Sequence, residues 1–460
     1  MIPLDIIAAL AAIVGKNNLY TSQEDKITYS YDGTPLLSQL PDAIIRPTTK
    51  EQIVDILLLA NKEKFSIVPR GAGTGLSGGS IPVDNCVIID MSRWNRILEI
   101  DRENLTAWVE PGVITSQLHQ AVEEIGLFYP PDPGSMNVCT IGGNVAENSG
   151  GLRGLKYGVT KNYIMGMEVV LPTGQVIICG GKTVKDVAGY NLKDLFIGSE
   201  GTLGIFTKIL VKLIPKPETS RTMVAYFNSQ ANAGKTVSSI ISQKIIPCTI
   251  EFLDKTTIRC VEEYAQIGLP TDIECLLLIE VDGHPAVVID EAKQVEECCR
   301  SNNATEIIVA KTSEEALKLK TARRSAFSAL ARVRPTTILE DITVPRSEIA
   351  VMLEKIDAIS KKYNIMIGTF GHAGDGNLHP TCLTDERNHD EILRAEKAYE
   401  EIFIEAVKLG GTITGEHGTG LAKKKFLHLV SGTTAIDTMR AIKKALDPNN
   451  ILNPGKVFDM

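Results

Sequence analysis

The 460-residue chain reads as an α+β protein with a glycine-rich β half followed by a more helical second half. Three observations carry that reading. Between about residue 40 and residue 215, short β-type runs alternate with glycine clusters. Two of those runs, 167–171 and 176–179, are joined by Pro172, Thr173 and Gly174, a hairpin signature. Past Lys216 and Pro217 the glycine density falls, and longer stretches of helical periodicity begin.

Residues 6–14 are apolar but follow Asp5 instead of a basic leader, which predicts an amphipathic first helix and not a secretion signal. Helical periodicity recurs at 50–62 and 116–126. Strands are expected at 65–68, 86–89, 107–109 and 204–213. In the second half, helices are expected at 290–301, 314–333, 389–409 and 434–446. Pro448 stops the last of these, and a turn-rich tail runs from it to Lys456.

A chain of this length with 43% hydrophobic residues exceeds one ordinary core, so two or three domains are expected. A net charge of −8 with no basic block argues against nucleic acid as a partner. No stretch approaches the roughly 18 apolar residues of a membrane span, so no transmembrane segment is expected. Nine cysteines, an odd number with no C-x-x-C, fit a reducing cytoplasm and offer no iron–sulfur ligand set. Any electrons the chain collects must therefore pass to something else.

Segment 69–80 carries five glycines, Gly71, Gly73, Gly75, Gly78 and Gly79, directly after the apolar run 65–68. Without Cβ atoms, successive N–H groups turn toward one point, which suits a pyrophosphate and predicts a bound dinucleotide. The formal G-x-G-x-x-G from Gly73 to Gly78 would mark a Rossmann domain only if a helix opened there. Pro82, Asp84 and Asn85 interrupt instead, and 86–90 reads as another strand. Two further glycine-rich segments, 140–151 and 198–204, lie in the same half; taken alone each reads as tight turns. Three together fit the close backbone approach that a large flat cofactor needs along its length.

In the second half, 365–380 encloses Asp375 and Gly376, a dipeptide that favours a two-residue type I′ turn. With that turn, Gly374 pairs with Asn377 and His372 faces His379, their Cβ atoms about 4.5–5.5 Å apart. Two imidazoles at that separation suit a shared metal. Glu416, next to His417 between Gly415 and Gly418, offers a third ligand for zinc, ferrous iron or manganese. The alternative is that both histidines pack in the sheet while Glu416 faces water. Adjacent residues of a regular strand point to opposite faces, so Glu416 and His417 serve one site only if Gly415 and Gly418 allow a local distortion. For a substrate carboxylate, the planar fork of Arg323 or Arg324 is available, Arg324 reading more readily as a solvated helix residue.

Segments 70–79, 189–204 and 447–456 resemble the FAD-linked oxidase family, in particular the group of D-lactate dehydrogenases and glycolate oxidase FAD subunits, over nearly the entire chain. The resemblance implies a bipartite FAD-binding domain of the vanillyl-alcohol-oxidase type at 1–218, an inserted α+β substrate-cap domain at 219–425, and a C-terminal segment at 426–460 returning to the FAD domain. It implies FAD contacts at Arg70, Gly71, Ala72, Gly73, Thr74 and Gly75 in the first loop. Further contacts follow at Gly134, Ser135, Gly142, Asn148, Ser149, Gly151 and Gly158, and then at Glu200, Gly201, Ile205 and Asn453. Some relatives hold FAD covalently through a histidine where this loop has Thr74, so non-covalent FAD is expected here. His372, His379 and Glu416 match the family's metal ligands, His417 its catalytic base and Arg323 its substrate arginine.

The resemblance also bears on substrate. Relatives acting on a five-carbon diacid carry a threonine and a lysine where this chain has Phe327 and Leu339. A second carboxylate buried against these would be unpaired at a cost of several kcal/mol, which favours D-lactate or glycolate. The expected activity is a flavin-dependent D-2-hydroxy-acid dehydrogenase whose electrons go to an electron-transferring flavoprotein or an iron–sulfur protein. The alternatives are a D-2-hydroxyglutarate dehydrogenase, a flavoprotein electron-transfer subunit, and a metal-dependent hydrolase with purely structural glycine loops.

Overall fold

The computed structural model describes residues 2–460. Contacts separate two units: the chain up to Ser149 with Val159–Lys216 and Glu416–Met460, and Gly150–Gly158 with Pro217–Gly415. Divisions after residues 218 and 425 were expected; the contact divisions fall after Lys216 and after Gly415.

In the first unit, a four-stranded sheet runs in the order Leu19–Tyr20, Ala43–Ile45, Cys86–Asp90, Ser66–Arg70. The last three strands are parallel. Every residue of Cys86–Asp90 is buried, as expected of an inner parallel strand covered on both faces. Helix Leu4–Val14 buries Ile6, Leu10 and Val14, one stripe at a spacing of four. Helix Lys50–Glu63 opens on a capping box of Thr49 and Gln52. Both helices cover the sheet in one apolar core that also takes in Ile451 and Leu452. No helix forms between Arg70 and Cys86, so the strand pair lacks the Rossmann connection.

The unit's five-stranded sheet runs Ile97–Asp101, Thr106–Val109, Ile205–Lys212, Ile164–Val170, Val176–Gly180, all antiparallel. The hairpin expected at Pro172–Gly174 is present: Gly174 has φ +82° and donates to Leu171 O at 2.8 Å.

The second unit is organised by an eight-stranded antiparallel sheet. Its central strands are Cys275–Gly283, Thr249–Asp254, Met366–His372 and Asn377–Thr384. Helices Pro285–Ser301, Ile349–Tyr363 and His389–Lys408 each bury one apolar stripe. The single helix expected over 314–333 is instead two, Ser313–Arg324 and Ala326–Leu330, divided at Ser325. The helix expected from Thr434 begins earlier, at Leu427, with Gly432 as a non-helical kink at φ 69°.

The C-terminal tail is tied to the first unit by buried charge. Ile67 N donates to Ile451 O and Asn453 N to Ile67 O, both at 2.7 Å, extending the parallel sheet. Asp447, 1% exposed, accepts from the N–H groups of Ile451 and Leu452 and from Lys443 Nζ. Lys443 also reaches Thr202 O at 2.8 Å and Leu452 O at 2.7 Å. Removing one partner strands the other as an uncompensated buried charge. Lys443→Ala is expected to lower the unfolding free energy by about 3–5 kcal/mol, read from the denaturant midpoint at unchanged slope; a loss under about 1 kcal/mol would show that the clamp is dispensable.

Candidate functional site

In the first unit, three glycine loops and the tail meet. Arg70 ends strand Ser66–Arg70, and loop 70–79 follows directly. Its backbone is pressed against the second loop: a Cβ on Gly71 would lie 2.3 Å from Thr140 Oγ1. Thr140 caps helix Ile141–Glu147 by accepting from Gly143 N. Gly142 lies within that helix, Asn148 closes it with φ 56°, and Ser149 follows. The third loop joins through Gly198 N to Val145 O at 2.9 Å and Glu200 N to Ala146 O at 2.8 Å. Gly201 packs on Pro69, where a Cβ would approach to 2.7 Å. Ile205 begins the strand that follows. Asn453 binds two loops at once, its amide donating to Gly79 O at 2.8 Å and Glu200 O at 2.7 Å.

The other candidate contacts fall beside these. Ala72 is exposed, Gly73 turns at φ +69° around the Arg70 guanidinium, and Thr74 is half-buried. Gly75 O accepts from Gly33 N at 2.8 Å. Gly134 is exposed and would point a Cβ into open space, while Ser135 O accepts from the N–H groups of Val138 and Cys139. Gly151 and Gly158 belong instead to the second unit, in a segment fastened there by Lys156 Nζ and Tyr157 OH, both on the Asp282 carboxylate.

The loops fit a cofactor of FAD's chemistry. The buried hydroxyls of Ser199 in the third loop and Tyr129 beside the second have no partner within the protein, which in a native structure marks a place for a ligand or ordered water. Arg70 is 7% exposed, and burial lowers its pKa from the usual arginine value, a cation suited to a diphosphate.

Two carboxyl groups stand together behind the loop 416–420. Glu200 accepts from Thr419 N at 2.7 Å and Gly420 N at 2.6 Å; burial pushes it up to about 7 despite those donors. Glu147 accepts from Ser77 Oγ at 3.3 Å through Oε1, while its enclosed Oε2 lies 2.2 Å from where a Gly418 Cβ would stand. Burial first, then the charges of Glu200 and Asp32, raise Glu147 well above the usual glutamate value.

In the second unit, the hairpin places its histidines differently from the two-residue turn expected. Strand Met366–His372 pairs with Asn377–Thr384 so that His372 faces Asn377 and Phe370 faces His379. The loop has four residues, 373–376, because its backbone is claimed by neighbours. Gly374 N donates to Ile250 O at 3.0 Å, Gly374 O accepts from Arg346 Nε at 2.7 Å, and Gly376 O accepts from Val344 N at 3.1 Å. The register shift is two residues, an even number, so both imidazoles stay on one face. Their ring centroids lie 5.3 Å apart, edge to face, with His372 5% and His379 3% exposed.

Arg323 joins this cluster. It is 7% exposed, its guanidinium carbon 4.8 Å from the centroid of the Phe370 ring, whereas Arg324 is exposed. Leu339 is buried, but Phe327 is 39% exposed, so only Leu339 supplies the buried apolar surface expected of the pair.

Two buried acids not singled out in the sequence support the cluster. Glu251 meets His372 Nδ1 at 2.7 Å and Arg323 Nε at 2.5 Å. Burial opposes its charge, but the interactions with His372 and Arg323 outweigh that, and its pKa lies below the usual glutamate value. Asp341, fully buried, accepts from Asn377 Nδ2 at 2.5 Å, Thr414 Oγ1 at 2.7 Å and Gly415 N at 2.8 Å, with His379 Nδ1 3.9 Å away. The available signal was an acid inside an apolar run: Glu251 between Ile250 and Phe252, Asp341 just before Ile342.

Glu416 and His417 follow Gly415 directly and are both half-buried. The chain bends here and forms no strand, so strand alternation does not separate the pair; His417 Nε2 lies 3.7 Å from Glu416 Oε1.

The chain belongs to the FAD-linked oxidases: residues 216–457 match the model of FAD linked oxidases, C-terminal domain, and 41–180 that of the FAD binding domain. It is an FAD-binding oxidoreductase. It is 54% identical to glycolate oxidase subunit GlcD of Bacillus subtilis over 100% of this chain and 97% of that one. To GlcD of Escherichia coli K12 it is 37% identical over 98% and 90%, and to D-lactate dehydrogenase of Anaerostipes hadrus 34% over 91% and 89%. Substrate-bound p-cresol methylhydroxylase matches at TM-score 0.82 and 21% identity, covering 99% of this chain and 97% of that one. The 4-ethylphenol oxidase of Gulosibacter chungangensis matches at 0.81 and 20%, with the same coverage. These two establish the fold, α+β of the vanillyl-alcohol-oxidase type.

Among the described residues, no helix is long and apolar enough to cross a membrane. All nine cysteines are buried and free.

A carboxyl group whose pKa is raised on folding favours the folded state at low pH, and that contribution is lost as pH rises through the folded value. Glu147→Gln removes the titration while keeping a neutral, similarly shaped group. Its melting temperature relative to the wild type is therefore expected to rise as pH climbs above the usual glutamate range; a difference independent of pH would show that Glu147 is not held protonated.

Proposed function

We propose that this chain oxidises a small D-2-hydroxy acid, D-lactate or glycolate, to the 2-oxo acid, with non-covalent FAD as acceptor. The observation that carries the reading is the convergence of Arg323, His372 and His379 in one buried cluster of an FAD-linked oxidase. A bidentate cation beside two metal-competent imidazoles suits a carboxylate with a neighbouring hydroxyl. The names of the relatives, glycolate oxidase subunit and D-lactate dehydrogenase, support the same substrate class. Leu339 offers no partner to a second carboxylate, which disfavours 2-hydroxyglutarate.

In this reading His372, His379 and Glu416 hold one divalent cation, Zn, Fe or Mn. Bound FAD supplies the hydride acceptor, and the cation supplies Lewis acidity that lowers the pKa of the substrate hydroxyl. Arg323 binds the substrate carboxylate and orients C2. His417 takes the hydroxyl proton on a ring nitrogen. Arg70, the glycines of the three loops and Asn453 position the cofactor. Thr74 provides no imidazole for a covalent link. With no cysteine cluster in the chain, electrons pass to a partner protein, an electron-transferring flavoprotein or an iron–sulfur protein; the word subunit in the relatives' names agrees with a partner.

The test is the visible spectrum of the purified protein under anaerobic conditions, with D-lactate, L-lactate, glycolate and D-2-hydroxyglutarate added separately. Bleaching by D-lactate or glycolate is expected. Bleaching by D-2-hydroxyglutarate alone would overturn the substrate assignment, and a yellow protein bleached by none would favour an electron-transfer subunit. His417→Ala is expected to retain the flavin spectrum while slowing anaerobic flavin reduction by about 100-fold or more; an undiminished rate would remove His417 as the base.

A further inference from the structure

Glu251 sits in the middle of strand Thr249–Asp254, all of whose residues are buried, and is itself 0% exposed. A carboxylate there persists only if fixed donors answer it. Its two oxygens are divided between two partners, Oε1 2.7 Å from His372 Nδ1 and Oε2 2.5 Å from Arg323 Nε. Each bond has a consequence at the far side of the partner. A carboxylate on Nδ1 holds the proton there and leaves Nε2 as the lone-pair nitrogen, the tautomer a metal ligand needs. A carboxylate on Nε leaves the Nη1/Nη2 edge of the guanidinium as a bidentate fork for another carboxylate.

We propose that Glu251 is a positioning residue whose single carboxylate couples the metal-binding imidazole of His372 to the substrate-binding guanidinium of Arg323. The proposal rests on the metal and substrate roles assigned above. It adds that the two affinities depend on one another through a residue that touches neither ligand. Glutamine at this position provides only one acceptor oxygen; its amide N–H₂ faces either the His372 N–H or the Arg323 N–H, so one bond is lost and a donor is left buried against a donor.

The experiment uses FAD-loaded protein stripped of metal by chelation and titrated calorimetrically with Zn²⁺, alongside KM and kcat for D-lactate and glycolate. Glu251→Gln is expected to weaken Zn²⁺ binding by about 10–100-fold and to raise KM, with the flavin spectrum unchanged. An unchanged Zn²⁺ affinity or an unchanged KM would overturn the coupling. Arg323→Ala gives an independent measurement should Glu251→Gln fail to fold. Without substrate, it is expected to change Zn²⁺ affinity by at least about threefold, and by less in the Glu251→Gln background; no change would overturn the proposal. His372→Ala separates the two levels. Loss of Zn²⁺ binding in His372→Ala but not in Glu251→Gln leaves the metal reading standing and removes the coupling. Wild-type Zn²⁺ binding in His372→Ala removes the metal reading and the coupling with it.

Discussion

A carboxylate with no exposure to water has to be met by fixed donors, and Asp341 is met by donors on Asn377, Thr414 and Gly415. That one side chain ties the start of strand Ile342–Thr343 to the hairpin carrying His372 and His379, and to the segment by which the chain leaves the second unit. Gly415 is required at that exit: a Cβ would stand 2.2 Å from Thr343 Oγ1 and 2.6 Å from Asn377 Nδ2. Glu416 and His417 therefore begin from a point set by a buried charge.

The same device recurs in the first unit. Glu200 gathers the N–H groups of Thr419 and Gly420, and Asp447 gathers those of Ile451 and Leu452 while Lys443 neutralises it. Each acid orders a short stretch of backbone outside the helices and extended strands. Loops rich in glycine lose more conformational freedom on folding than other segments, so anchors of this strength belong where such loops must be ordered. Ordering matters here because a flavin site works through fixed positions of backbone and side chain.

Much of this was legible in the chain. Periodicity placed the helices Leu4–Val14, Lys50–Glu63 and His389–Lys408, and Pro172–Gly174 marked its hairpin, because both signals act within a few residues. The proline and turn residues after Gly78 ruled out a Rossmann connection for the same local reason. The second hairpin was misread because Asp375-Gly376 favours a two-residue turn in isolation, whereas Val344, Arg346 and Ile250 claim the loop backbone. Those three residues are distant in sequence, and no local pattern weighs them. The imidazoles nevertheless share a face, since the error was two residues and side chains alternate with a period of two.

The sequence by itself determined the family, the glycine loops that approach a cofactor, and the residue types available for a metal and a carboxylate. The family follows from the resemblance of segments 70–79, 189–204 and 447–456, and the residue types from their spacing along the chain. Only the tertiary structure decided which acids stand behind those residues: Glu251 behind His372 and Arg323, Asp341 behind Asn377 and Gly415, Glu147 behind Gly418. A buried acid is satisfied by whatever donors the fold brings to it, and donors 36 to 121 positions away in the chain leave no trace in local pattern.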